Sequence, residues 1–330
     1  MPTQANMISD VRSFMKSRVI LTAAELDLFT KLDQTSISAK DLAAMLNLNE
    51  RATTRLLDCL ITFELLEKQN NCYRTTEKGS YLSSLHPHSI HPSVKHSIRL
   101  WNNWNHLTVA IKERTNPHLQ PLSNKTGSDE ETKAFIGSMH VGARKLASKI
   151  SDAYDSRPFK RLLDIGGGSG AYTIAFLQKN PQLQDIIYDL DGVIPIAEEK
   201  IKEVQLQNRA SFIAGDYNKD ELPGGCDLAL LSAVIHQNSP EQNLSLFQKI
   251  FRALELGGSL LIRDHVMDTT RTRPPMGALF ALNMLVSTSA GDTYTFDEIK
   301  GGLEMAGFAK VEMLMKGEKM DCLVEARKLK

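Results

Sequence analysis

A doubly wound α/β chain, preceded by a smaller helical module, is the fold class this sequence predicts, and three features predict it. The first is Gly166-Gly167-Gly168-Ser169-Gly170, set between an apolar run, Leu162-Leu163-Asp164-Ile165, and a helix-like run from Tyr172 to Leu177. A glycine-rich turn between a buried strand and a helix brings backbone close to a ligand, with the helix N-terminus behind it. The second is alternation. Apolar strand candidates at 161–165, 185–190, 210–214, 228–232 and 259–264 are separated by helical stretches, which argues for a parallel sheet covered on both faces. The third is the ending. Candidate strands 310–315 and 322–327 are joined only by a short turn around Gly317-Glu318-Lys319, so that pair must be antiparallel.

The front of the chain, about 9–85, reads as short helices followed by a hairpin. Ser38 looks like an N-cap for a helix running through Leu42 and Ala43. Residues 51–60 place Leu56, Leu57 and Leu60 on one helical face. Leu65-Leu66-Glu67-Lys68 and Cys72-Tyr73-Arg74-Thr75 flank Gln69-Asn70-Asn71, which suits a hairpin. Helix, turn, helix and β-wing form a winged-helix pattern, which binds DNA in some proteins and only packs in others. Arg51 and Arg55 on the second helix are offset by Glu50 and Asp58, which weighs against DNA. From about 89 to 154 the sequence is helical with interruptions. His86, His88, His91 and His96, broken by Pro87 and Pro92, read as a solvated loop and not as a metal site. Trp101, Trp104, Phe135 and Met139 read as core or pocket wall. The domain boundaries expected are 1–88, 89–155 for a helical linker, and 156–330.

Composition narrows the function classes. The 330 residues carry a formal net charge of +0, so no global electrostatic attraction to nucleic acid exists. No apolar run approaches the roughly 18 residues that suggest a membrane span. The start, Met1-Pro2-Thr3-Gln4-Ala5-Asn6, has no basic segment followed by an apolar one, so no secretory signal is expected. Cys59, Cys72, Cys226 and Cys322 are scattered without a CxxC and read as reduced thiols in a cytoplasmic protein.

The glycine run alone leaves the ligand open. Scanned as Gly166-x-Gly168-x-x-Ala171, with Asp189 about 20 residues on, it fits a Rossmann-like dinucleotide fingerprint, and a nicotinamide-dependent oxidoreductase is a rival reading. Further residues bear on the choice. Gly215-Asp216 ends the third strand, Leu256-Gly257-Gly258 makes a turn before the fifth, and the terminal hairpin completes the set.

Together these resemble the class I methyltransferases, which bind S-adenosylmethionine on a Rossmann-like seven-stranded sheet. The order of winged helix, middle helices and C-terminal sheet is similar to the small-molecule O-methyltransferases that include plant caffeate, hydroxyindole and bacterial polyketide-tailoring enzymes. The signature here is Asp164-Ile165-Gly166-Gly167-Gly168-Ser169-Gly170, Tyr188-Asp189-Leu190, Gly215-Asp216 and Leu231-Ser232-Ala233-Val234-Ile235-His236. The resemblance implies a homodimer formed through the front domain, no nucleic-acid or membrane partner, and no metal. It implies that S-adenosylmethionine is held by Asp164, Gly166, Gly168, Asp189, Leu190, Gly215, Asp216, Tyr217 and Ser232. Asp189 would accept both ribose hydroxyls, and Asp216 would reach the adenine amino group. It implies that His236 is the general base, with Asp264 orienting it, and that a small, aromatic hydroxyl acceptor meets Trp101, Phe135, Met139, Phe280, Asn283 and Met284.

Two departures from the family pattern stand out. Gln237-Asn238 follows the histidine where Asp-Trp is common, and Thr293 occupies the place of a second acid, with Asp292 beside it. They keep C-methylation, or a relative that binds the cofactor without methylating, as alternatives. Arg263 and Arg271 are read as surface charges rather than as holders of an acidic substrate.

Overall fold

The computed structural model describes residues 4–119 and 129–329, except for the side chains of 129–131. It divides into two compact units, Met1–Arg99 and Leu100–Lys330. In the first, helices Phe14–Glu25, Leu28–Leu32, Ala39–Met45 and Glu50–Thr62 precede a hairpin, Leu66–Gln69 with Cys72–Thr75. Ile37–Ser38 adds a third, antiparallel strand to that hairpin. Ser38 and Asn49 cap the two central helices by accepting from Asp41 N and Ala52 N, which satisfies otherwise unpaired helix-end donors. Leu28, Leu32, Leu42, Leu57 and Leu60 fill the core between the helices. Asn70 and Asn71 both take positive φ, 51° and 62°, which a two-residue hairpin turn of this hand needs.

The histidine cluster departs from the loop expectation. His91 opens a helix, His91–Trp104, and is buried, with its Nδ1 at 3.1 Å from the Leu82 carbonyl. Pro92 lies in the first turn, where its missing N–H costs no hydrogen bond.

The second unit is built on seven strands: β1 (Arg161–Ile165), β2 (Gln184–Asp189), β3 (Ala210–Ala214), β4 (Cys226–Ser232), β5 (Leu254–Asp264), β6 (Ala309–Met315) and β7 (Cys322–Arg327). Their order is β6-β7-β5-β4-β1-β2-β3. Only β7 runs antiparallel to its neighbours. The helices are α1 (Leu107–Glu113), α2 (Asp129–Ala153), α3 (Ala171–Lys179), α4 (Ile194–Glu203), α5 (Pro240–Ala253), α6 (Pro275–Ser287) and α7 (Phe296–Met305). Strands β1, β2, β4 and β5 are buried along most of their length because both sheet faces are covered. One face packs Leu246, Phe247, Ile250 and Leu303 of α5 and α7. The other packs Ile150, Tyr172, Phe176 and Leu177 of α2 and α3. Capping boxes at Ser239/Gln242 and Thr295/Glu298 start α5 and α7.

Gly257 and Gly258 do not precede the fifth strand as expected. They lie inside it, where the register against β4 shifts. The strand sequence leaves β1 for β2 and β3 on one side, then returns to β4 and β5 on the other. Ligands bind at the carboxyl ends of strands where that order reverses.

Candidate active site

Five strand ends meet along this carboxyl edge. After β1 the chain enters the glycine turn. Gly168 has φ +58°, a conformation that side chains with a Cβ rarely adopt. Its N–H donates to Asp189 Oδ2 at 2.8 Å, and Leu190 N donates to Asp189 Oδ1 at 2.7 Å. Each carboxylate oxygen thus spends one lone pair on backbone and keeps another for a ligand. Burial raises the Asp189 carboxyl above its ordinary range, and the two N–H groups work against that rise. At the end of β3 a Cβ on Gly215 would overlap the Tyr188 phenol, so only glycine lets the chain pass there. Asp216 beside it accepts from Lys219 Nζ at 2.7 Å and from Asn218 N at 3.0 Å. Burial would raise this carboxyl, but Lys219 and Asn218 hold it below the ordinary range.

Behind the turn, Thr173 Oγ1 lies 2.9 Å from Asp164 Oδ2 and 2.8 Å from Asp185 Oδ2. One hydroxyl carries one proton, so at least one of the two buried carboxyls must itself be protonated. Burial raises both; the charge of Asp189 adds to the rise at Asp164, and that of Asp164 to the rise at Asp185.

Ser232 ends β4, and Ala233 turns the chain at φ 60° while its N–H donates to the Arg263 carbonyl at 2.8 Å. Left-handed backbone at a non-glycine residue costs energy and is found where surrounding contacts impose it. The turn delivers a short 3₁₀ segment, Ile235–Gln237, with His236 at its centre. His236 is 6% exposed, and its Nδ1 donates to both oxygens of Asp264, each at 2.9 Å. In the neutral imidazole that bond fixes the tautomer, with the proton on Nδ1 and Nε2 as the acceptor. Asp264 ends β5 and is itself buried. Burial would raise its carboxyl, but His236, Arg263 and the His265 N–H hold it below the ordinary range, so it stays ionised opposite the imidazole.

The Phe280 ring on α6 meets His236 edge-on at 4.9 Å and lies 5.0 Å from the ring of His265. Of the expected acceptor residues, Phe280 is therefore brought to the histidine. Asn283 instead accepts from the Trp104 indole at 2.9 Å, and Met284 is buried at 6% exposure. Trp101 and Phe135 are half-buried, and Met139 on α2 is 41% exposed. Its neighbour His140 reaches Ser169 Oγ at 2.8 Å, tying α2 to the glycine turn. Thr293 is buried, while Asp292 caps the Thr293 N–H and faces Arg271. Among the described residues, Asp264 is the acid paired with His236.

An O-methyltransferase family model matches residues 104–309, and an O-methyltransferase dimerisation model matches residues 10–84. The chain belongs to the S-adenosylmethionine-dependent O-methyltransferases. A bovine acetylserotonin O-methyltransferase is 30% identical over 96% of this chain and 95% of its own length. A human protein described as a probable bifunctional dTTP/UTP pyrophosphatase/methyltransferase is 27% identical over 99% of this chain, which spans only 54% of that relative. The crystal structure of human N-acetylserotonin methyltransferase in complex with S-adenosylmethionine superposes with a TM-score of 0.82, at 26% identity, and covers 100% of this chain and 99% of that one. The nicotinamide alternative falls with that membership. The winged-helix pattern of the front unit belongs to the matched O-methyltransferase dimerisation domain.

Three features of this O-methyltransferase were not legible as site residues. Arg263 is not a surface charge; it is 7% exposed. His265 and His140 lack any local signature, and only the strand-end position of His265 beside Asp264 could have marked it. The surface reading does hold for Arg271, which pairs with Glu298 on the exterior.

Proposed function

We propose that this O-methyltransferase moves a methyl group to the hydroxyl of a small aromatic acceptor, with His236 as general base. The observation that carries the reading is the His236–Asp264 pair, in which Nδ1 is committed to the carboxylate and the imidazole lies against the Phe280 ring. The cofactor supplies an electrophilic sulfonium methyl. Its fit rests on the open lone pairs of Asp189, the glycine turn that carries no side chain toward the ligand, and the Asp164 Oδ1, which has no hydrogen-bond partner. Asp189 would hold the ribose, Asp216 the adenine, and Gly166, Leu190, Tyr217 and Ser232 would line the same edge.

Within that site His236 Nε2 takes the hydroxyl proton, and Asp264 stabilises the imidazolium that results. Phe280 offers a flat apolar wall that orients an aromatic ring. A base of this kind gives about 10²–10⁴-fold, and holding the acceptor in line contributes more. Trp101, Phe135 and Met139 complete the acceptor side in this reading, with Asn283 and Met284 supporting them from behind. Purified protein incubated with labelled S-adenosylmethionine and a panel of phenols, catechols and naphthols tests it. The reading fails if label appears on carbon or on no acceptor of this class while the cofactor binds.

The enzyme acts as a homodimer in this proposal. The dimerisation match is one support. The other is the first helix, Gln4–Arg12, which buries no residue in the single chain and, with the next helix, exposes Met7, Ile8, Val11, Phe14 and Met15 at helical spacing. Such an apolar stripe is a surface for a partner.

A further inference from the structure

Arg263 stands one residue before the end of β5 and is more than nine-tenths buried. Its Nε and Nη2 donate to Ser232 Oγ at 3.1 and 2.8 Å, and its Nη1 donates to the Met320 carbonyl at 3.0 Å. The guanidinium lies over the Tyr172 ring, 5.2 Å from the centroid. A guanidinium has five N–H donors, so one on each terminal nitrogen stays unused by these contacts. Among the described residues no carboxylate lies within ion-pair distance. Asp264 is engaged with His236, and Asp164 is held toward its neutral form by burial. A buried cation without a contacting counter-charge is costly and is ordinarily matched by an anion.

Two other polar atoms nearby are also buried and unmatched, the Tyr172 hydroxyl and Asp164 Oδ1. Tyr172 is in the first turn of α3, directly behind the glycine turn, and Asp164 lies on β1 just before it. A cation, a hydroxyl donor and a carboxyl oxygen therefore stand unsatisfied around one turn. That set complements an amino-acid head group, with its carboxylate toward the first two and its ammonium toward the third. The span agrees. Strands β5 and β2 are three spacings apart, about 14 Å, and the Arg263 side chain reaches back over one of them to Ser232. The remaining distance to Asp189 suits an extended ligand that carries a ribose at one end and an amino acid at the other.

We infer that Arg263 is a cofactor-binding residue that holds the α-carboxylate of the methionine moiety, assisted by Tyr172. This rests on the S-adenosylmethionine reading of the same edge.

Calorimetry with two ligands tests it: S-adenosylhomocysteine, and its decarboxylated analogue, which keeps the amino group and lacks only the carboxylate. The wild-type protein should bind the first at least about tenfold more tightly, as charge-assisted bidentate contacts do. Arg263→Met should erase that preference and leave the affinity for the analogue within about twofold. Arg263→Lys should keep part of it. A parallel loss for both ligands would make Arg263 a clamp on Ser232 and the Met320 carbonyl and overturn the inference. Equal affinity of the wild-type protein for the two ligands would overturn it without any variant, even if Arg263→Met does not fold. Failure of the wild-type protein to bind either ligand would count instead against the cofactor reading.

Discussion

His236 and Asp264 divide one task. In the proposed reaction the imidazole receives the proton, and the carboxylate fixes which nitrogen can receive it. Replacing His236 by alanine should lower turnover by about two to four orders of magnitude and leave the Kd for S-adenosylhomocysteine nearly unchanged, because the acids proposed to hold the cofactor, Asp189 and Asp216, sit at the ends of β2 and β3. Steady-state rates and calorimetry on the same preparation check both halves. A rate equal to wild type would remove His236 from the chemistry. Asp264→Asn should cost less, since an amide oxygen can still accept from Nδ1 but cannot balance the imidazolium charge. Asp189 has the opposite profile. Its loss to alanine should weaken cofactor binding by the equivalent of about 1.5–3 kcal/mol, the usual worth of hydrogen bonds to a charged group. Unchanged affinity would place the ribose elsewhere.

At the scale of elements, the packing of α3 onto β1 and β2 encloses two carboxyls around one hydroxyl. Burial pushes Asp164 up to about 7. A carboxyl whose folded pKa is raised contributes stability that is fully present below the ordinary carboxylate value near 4. That stability is lost as pH rises through the folded value. The window is therefore pH 4 to about 7, and the protein should be more stable at pH 5 than at pH 8 on this account. Asp185→Asn removes one of the two raised carboxyls and should flatten that fall. The melting temperature of the variant relative to wild type should rise from pH 5 to pH 8, by an amount that reflects roughly 1.4 kcal/mol per unit of pKa relieved. A difference that stays constant over this range would show that the two acids do not share a proton.

For the whole molecule, the exposed stripe on the first two helices predicts assembly. Val11 is 68% and Met7 61% exposed in the single chain. Light scattering at micromolar concentration should return about twice the 36.8 kDa chain mass. The double substitution Met7→Asp and Val11→Asp should shift the protein toward the monomer, because it puts two charges into an apolar contact. A wild-type mass near that of one chain would refute the homodimer. Both outcomes can be read without knowing the acceptor.

The alternation of strands and helices, the glycine turn, and the strand-end positions of Asp189 and His236 were legible in the sequence because each is a local pattern. Buried parallel strands are apolar runs, a close backbone approach requires glycine, and Asp189 follows the turn at the spacing of one βα unit. The His236–Asp264 pairing was read through resemblance, and the adjacency of β4 and β5 explains it. The three-dimensional packing alone decided the rest. Whether an arginine on a strand is surface or core depends on what covers that strand, and Tyr172 of α3 and the β6–β7 turn lie against Arg263. The bond from His140 to Ser169 links positions 29 residues apart, and no periodicity encodes such a distance. Thr173 reads as one more helical residue until folding sets its hydroxyl between two acids from different strands. Burial and long-range juxtaposition are properties of the packed chain, so the local code fixed the frame of this site while packing chose its charged lining.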